Sequence, residues 1–71
     1  MKAVFHIEDM HCNKCSSIIL KSIENISGIH DIKVDIDSRK LNIDISSKAL
    51  IENIKLVIED CGFLVNEVEL N

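Results

Sequence analysis

Apolar side chains in this chain recur first at every second position, then at every third or fourth, and the alternation then repeats. Across residues 2–8, Ala3, Phe5 and Ile7 fall on one side of an extended backbone, and Lys2, Val4, His6 and Glu8 on the other. That is the pattern of a strand with one buried face. The alternation stops over residues 9–12. From there the apolar positions are Cys15, Ile18, Ile19, Ile23 and Ile26, with Lys14, Ser17, Lys21 and Glu24 mainly opposite, which predicts an amphipathic helix. It should start near Cys12 or Asn13 and end near Ser27-Gly28, with Gly28 supplying a left-handed terminal turn. In this phase Cys15 lies on the apolar stripe and should be largely covered, whereas Cys12 sits at the first turn or in the loop and should be more open.

Period two returns with Ile32, Val34 and Ile36 set against Asp31, Lys33, Asp35 and Asp37. The polar stretch Asp37-Ser38-Arg39-Lys40 follows, and Leu41, Ile43 and Ile45 then alternate with Asn42, Asp44 and Ser46, so the two runs predict a β-hairpin with one wet face. Ser46 or Ser47 can cap a second helix built on Leu50, Ile51, Ile54, Val57, Ile58 and Cys61, and Gly62 should stop it. Residues 63–70 predict a last strand at a sheet edge. The order β-α-β-β-α-β with right-handed crossovers implies an α+β, ferredoxin-like sandwich: a four-stranded antiparallel sheet with two helices on one face.

Composition narrows this picture. The 71 residues predict one domain, at the lower edge of the size that a core alone can hold. With 46% hydrophobic but only 3% aromatic residues and no Trp, Tyr or Pro, that core must be mostly isoleucine, leucine and valine. The first residues lack the continuous apolar stretch of a secretory signal, and no run approaches membrane-spanning length, so a soluble cytosolic protein without membrane insertion is expected. A net charge of −4 argues against nucleic acid as the main partner. The sequence holds no nucleophile-base arrangement, Gly-rich phosphate loop or calcium loop, so no enzymatic activity is expected.

Chemistry enters with the cysteines. Cys12 and Cys15 stand three residues apart where a strand gives way to a helix, too close in sequence to staple a fold. Helix-terminal N–H groups and Lys14 favour their thiolate forms. Two soft ligands without a second CxxC pair suit copper(I) better than a closed four-coordinate zinc site, with zinc, mercury and cadmium-like ions as rivals. A thiol-disulfide exchanger is the reading of a different class.

The stretch Met10-His11-Cys12-Asn13-Lys14-Cys15 resembles the MxCxxC motif of the heavy-metal-associated (HMA) domain, found in bacterial copper chaperones and in the N-terminal metal-binding domains of copper-transporting P-type ATPases. The likeness extends over the chain's length, its element order and the segment Ile58-Glu59-Asp60-Cys61-Gly62-Phe63. The resemblance implies a single domain over residues 1–71, with Cys12 and Cys15 as metal thiolates and Met10 packed beneath the loop. It sets Gly62 and Phe63 beside the site. The function implied is that of a cytosolic copper(I) metallochaperone delivering its ion to a copper-transporting ATPase domain by thiolate exchange. An ATPase domain cut from a longer chain, or a mercury or zinc carrier, shares the same motif.

Two positions depart from the family. Asp9 stands where a glycine is usual, so the loop must turn differently or tolerate the turn through side-chain hydrogen bonds. His11 stands where zinc-selective relatives often carry Asp, which keeps copper ahead. Cys61 continues the apolar stripe of the second helix, yet its place at the helix end makes it, with His11, a candidate auxiliary ligand. The expected states are a monomer without metal and a metal-bridged dimer with it.

Overall fold

The computed structural model of the protein describes residues 1–70, so the end of the expected 1–71 domain at Asn71 lies outside the described residues. The elements are β1 (Lys2–Ile7), α1 (Asn13–Ile23), β2 (Ile29–Asp35), β3 (Lys40–Ile45), α2 (Ala49–Asp60) and β4 (Val65–Leu70). The sheet order is β2-β3-β1-β4. Both β1 and β2 pair antiparallel to β3, and β4 pairs antiparallel to β1. Each helix therefore crosses between two parallel strands separated by a third, and β4 is the edge strand that the sequence predicts.

Alternation decides which face is covered. Ala3, Phe5 and Ile7 of β1 and Leu41, Ile43 and Ile45 of β3 are fully buried, in one cluster with Ile19 and Ile23 of α1 and Ile54 and Ile58 of α2. Both helices thus lie on the same side of the sheet, and the intervening residues of β1 and β3 face outward. Burying a side chain of this size is worth about 1.5–3 kcal/mol, so the two central strands carry most of the adhesion.

α1 departs from expectation at both margins of its pattern. It ends at Ile23, not near Gly28, with Glu24 as its cap in ordinary helical conformation. Ile26 continues the apolar spacing because it packs on the core from the turn that follows. Ile18, expected on the buried stripe, is 49% exposed, and Ser16 is buried in its place with its hydroxyl donating to Asn13 O at 2.9 Å. β2 begins at Ile29, earlier than the alternation suggests, because a register shift between His30 and Ile32 breaks period two.

Gly28 has φ +91°, and it forms the entry to β2 rather than a helix cap. A Cβ built there would lie 2.7 Å from Ser46 Oγ and 2.8 Å from Leu50 Cδ1, side-chain ends that would have to shift, and the left-handed backbone itself favours glycine. Gly28→Ala is expected to cost about 1–3 kcal/mol, which lowers the melting midpoint by roughly 4–8 °C per kcal/mol. An unchanged calorimetric midpoint would refute this account.

α2 stops as the sequence predicts. Gly62 takes φ +95°, its N–H donates to Glu59 O at 2.9 Å, and Phe63 N–H donates to Ile58 O at 3.3 Å. This pair of bonds is a Schellman ending, accompanied by Phe63 packing on the core. The helix start differs from expectation: Lys48 occupies the cap position without a side-chain bond, while Ser47 Oγ accepts from Ala49 N–H at 3.3 Å.

Candidate metal centre

The loop between β1 and α1 is built by short backbone bonds that leave its thiols at a helix start. Met10 N–H donates to Ile7 O at 3.1 Å and His11 N–H to Asp9 O at 3.1 Å, which folds residues 7–11 into tight turns. Asp9 is exposed and does not take a left-handed φ, so the turn here makes no demand for a glycine. Met10 is fully buried in the main core cluster, directly before the exposed His11.

Cys12 is the N-cap of α1, in extended conformation (φ −147°, ψ 162°). Its Sγ accepts the Cys15 N–H at 3.4 Å and lies 3.0 Å from Cys15 Sγ. The helix thus begins on a cysteine sulfur in the place usually held by a serine or aspartate oxygen. Both thiols are half-buried, so the expected contrast in exposure is softer than the helix phase implies; Cys15 packs against the core.

Their acidities do separate. The thiol of Cys15 donates to Cys12, and this bond, with the backbone N–H of Cys15, holds Cys12 below the ordinary thiol range. The same bond pushes Cys15 above that range, because losing its proton breaks the contact. The contribution of Cys12 to stability is therefore complete above the ordinary thiol pKa and disappears as pH falls through its depressed value. That of Cys15 has the opposite sign: it is complete below the ordinary value and is lost as pH rises through the raised one. At about pH 7 the thiolate fraction then favours Cys12, so iodoacetamide at low conversion should label Cys12 ahead of Cys15 in the metal-free protein. Equal rates by site-resolved mass spectrometry would contradict this ordering.

Cys61, at the end of α2, is half-buried with its Sγ 3.0 Å from Ser22 Oγ on α1. Among the described residues no three His, Cys, Asp or Glu side chains are grouped to hold one ion. The Ser22 contact and the buried Ser16 were not foreseen from the sequence. Each is a serine on the stripe side of α1, where a polarity-based reading assigns solvent. No helix of the described residues is long and apolar enough to cross a membrane.

Comparison with known proteins places this geometry in a family. The chain is 32% identical over 69 residues to a probable copper-transporting ATPase, HMA5, of Arabidopsis thaliana, covering 96% of this chain and 7% of that protein. It is 28% identical to a probable cadmium-transporting ATPase of Staphylococcus aureus, covering 82% of this chain and 8% of the other. The chain thus spans less than a tenth of either ATPase. Copper chaperone CopZ of Staphylococcus aureus is 26% identical over 84% of this chain and 90% of its own length. The yeast copper transporter domain CCC2A superposes with a TM-score of 0.85 over 97% of this chain and 94% of that one; at 20% identity this is a likeness of fold, and the fold is the expected ferredoxin-like one. The profile of the heavy-metal-associated domain matches residues 4–63. The chain belongs to the heavy-metal-associated domain family.

Proposed function

We propose that this domain is a copper(I) carrier of the cytoplasm that holds its ion between Cys12 and Cys15 and passes it to the metal-binding domain of a copper-transporting ATPase. The observation that carries the reading is the pair of thiol sulfurs 3.0 Å apart at the start of α1, in a chain similar to a copper chaperone over most of both lengths. The donor set fits a soft monovalent ion: two half-buried sulfurs with, among the described residues, no carboxylate or imidazole grouped with them.

Loading has a geometric requirement. With metal–sulfur bonds of ~2.3 Å, a linear two-coordinate site places its sulfurs ~4.6 Å apart, so the pair must open beyond its present separation. Cys12 lies outside the helix proper and can rotate away, giving up its cap to Cys15 N–H, while Cys15 stays packed on the core. Binding displaces the protons that the two sulfurs still carry. Transfer then proceeds by thiolate exchange, in which an incoming sulfur of the partner replaces Cys12 first and Cys15 afterwards, with no change in oxidation state. The docking surface of this reading is the metal loop, the start of α1 and the Gly62-Phe63 turn, and Met10 is the support beneath it. The reducing cytosol keeps both thiols available.

Competitive titration with a copper(I)-specific chelator under reducing conditions is expected to give one ion per chain, with two sulfur ligands by X-ray absorption. Cys61→Ser should give the same stoichiometry and spectrum; a loss of ligand in that variant would make Cys61 part of the site. The cadmium-transporting relative supports a second reading, a soft divalent ion as cargo. A higher affinity for cadmium or zinc than for copper(I) in the same titration would favour it.

A further inference from the structure

The β2–β3 turn contains the sole non-glycine residue with a left-handed backbone among the described residues, Arg39 at φ 57°. An L side chain rarely adopts this conformation, and it persists where surrounding bonds over-determine it. Here those bonds are identifiable. Asp35 Oδ1 accepts Ser38 N–H at 3.2 Å, and Arg39 N–H donates to Ile36 O at 3.2 Å, which closes the turn. The Arg39 carbonyl, turned back by the left-handed φ, accepts Ile7 N–H at 3.0 Å. The Ile7 carbonyl in turn accepts Met10 N–H at 3.1 Å.

We propose that Arg39 is a positioning residue for the metal loop: its left-handed backbone aims a carbonyl that pins the last residue of β1 and, through Ile7, fixes where Met10 and the two thiols begin. Two features make this anchor necessary. The β1–β4 pairing loses register between His6 and Ile7, so the other edge of β1 gives irregular support at this point. The regular β1–β3 register ends at His6 opposite Lys40, so the Arg39–Ile7 bond is the added rung that carries the ladder up to the loop. The role belongs to the backbone of residue 39, which is why a turn with no glycine or asparagine in it can perform it.

The proposal rests on the metal-binding reading for its consequence but not for its geometry, and the test separates the two. Arg39→Val and the equally β-branched Arg39→Thr disfavour the left-handed region more than arginine does, and Arg39→Gly admits it freely. In the metal-free protein, Arg39→Val should accelerate amide hydrogen exchange at Ile7 and Met10 by roughly tenfold or more relative to Val4 within β1, as expected of a local opening. Arg39→Gly should restore parental exchange. Copper(I) affinity should fall by roughly three- to tenfold in Arg39→Val, at or below the low end of what removing an outer support of a metal site costs, and recover in Arg39→Gly. If the valine variant does not fold, the threonine and glycine variants carry the same comparison. Unchanged exchange at Ile7 and Met10, or an acceleration spread evenly over β1 and β3, would overturn the positioning role. Failure of the parent protein to bind copper(I) would instead overturn the cargo and leave the exchange result to decide the anchor.

Discussion

The Cys12→Ser/Cys15→Ser double variant is expected to fold as the parent does and to lose stoichiometric copper(I) binding. The fold should survive because position 12 is a helix N-cap, where a serine oxygen is at least as good an acceptor as sulfur. Position 15 is only half-buried, so a hydroxyl there keeps access to water. Binding should fail because hydroxyls are hard, neutral donors at pH 7, whereas the ion is soft and its affinity derives from thiolate charge and polarisability. A loss of at least three decades corresponds to ~4 kcal/mol. Circular dichroism and thermal melting establish the fold of the variant, and competition titration reads the affinity. Retention of one tightly bound ion per chain would remove Cys12 and Cys15 from the site and with them the proposed function.

The second large effect is on stability, and it acts from beneath the loop. Met10 is fully buried against the main core, so Met10→Ala leaves a cavity and should cost about 2–5 kcal/mol. A domain of 71 residues has roughly 4–11 kcal/mol to lose at ~0.05–0.15 kcal/mol per residue, so this one side chain accounts for a large share. Met10→Leu, close in volume, should cost less than about 1.5 kcal/mol. Because the Met10 N–H bond to Ile7 belongs to the backbone, both variants keep the turn while only one empties the space under it. Chemical denaturation of the pair checks the difference. A Met10→Ala cost near that of Met10→Leu would mean that the loop settles into the gap and that the side chain does not shape the site.

Most of the architecture was legible because its strands keep strict alternation and its second helix ends on a glycine. Ala3, Phe5 and Ile7, and likewise Leu41, Ile43 and Ile45, are buried on one face as their spacing requires. The misreadings have local causes. Ile26 extends the helical spacing beyond the helix because an irregular turn can also deliver an apolar side chain to the core, and Gly28 looked like a cap because left-handed glycines serve strand entries as well. Ser16 escaped because its polarity is satisfied within its own helical turn. The left-handed turn residue escaped for a plainer reason: Asp37-Ser38-Arg39-Lys40 carries no glycine or asparagine to mark it. The thiol pair was legible as chemistry, but its distance and the division of acidity between Cys12 and Cys15 depend on backbone angles that spacing does not encode.

Strand order also sets when the thiol loop can first be complete. β1, which leads into the thiol loop, pairs on one side with β3 and on the other with β4, the strand nearest the carboxyl end. During synthesis Cys12 leaves the ribosome long before Val65, by roughly 3–10 s at ~5–20 residues per second. For that interval the nascent chain carries two unshielded thiols on a segment whose partner strands are incomplete. Under the proposed function, the complete site is available to cargo only after translation, and oxidation of the growing chain is the hazard that a reducing compartment would remove.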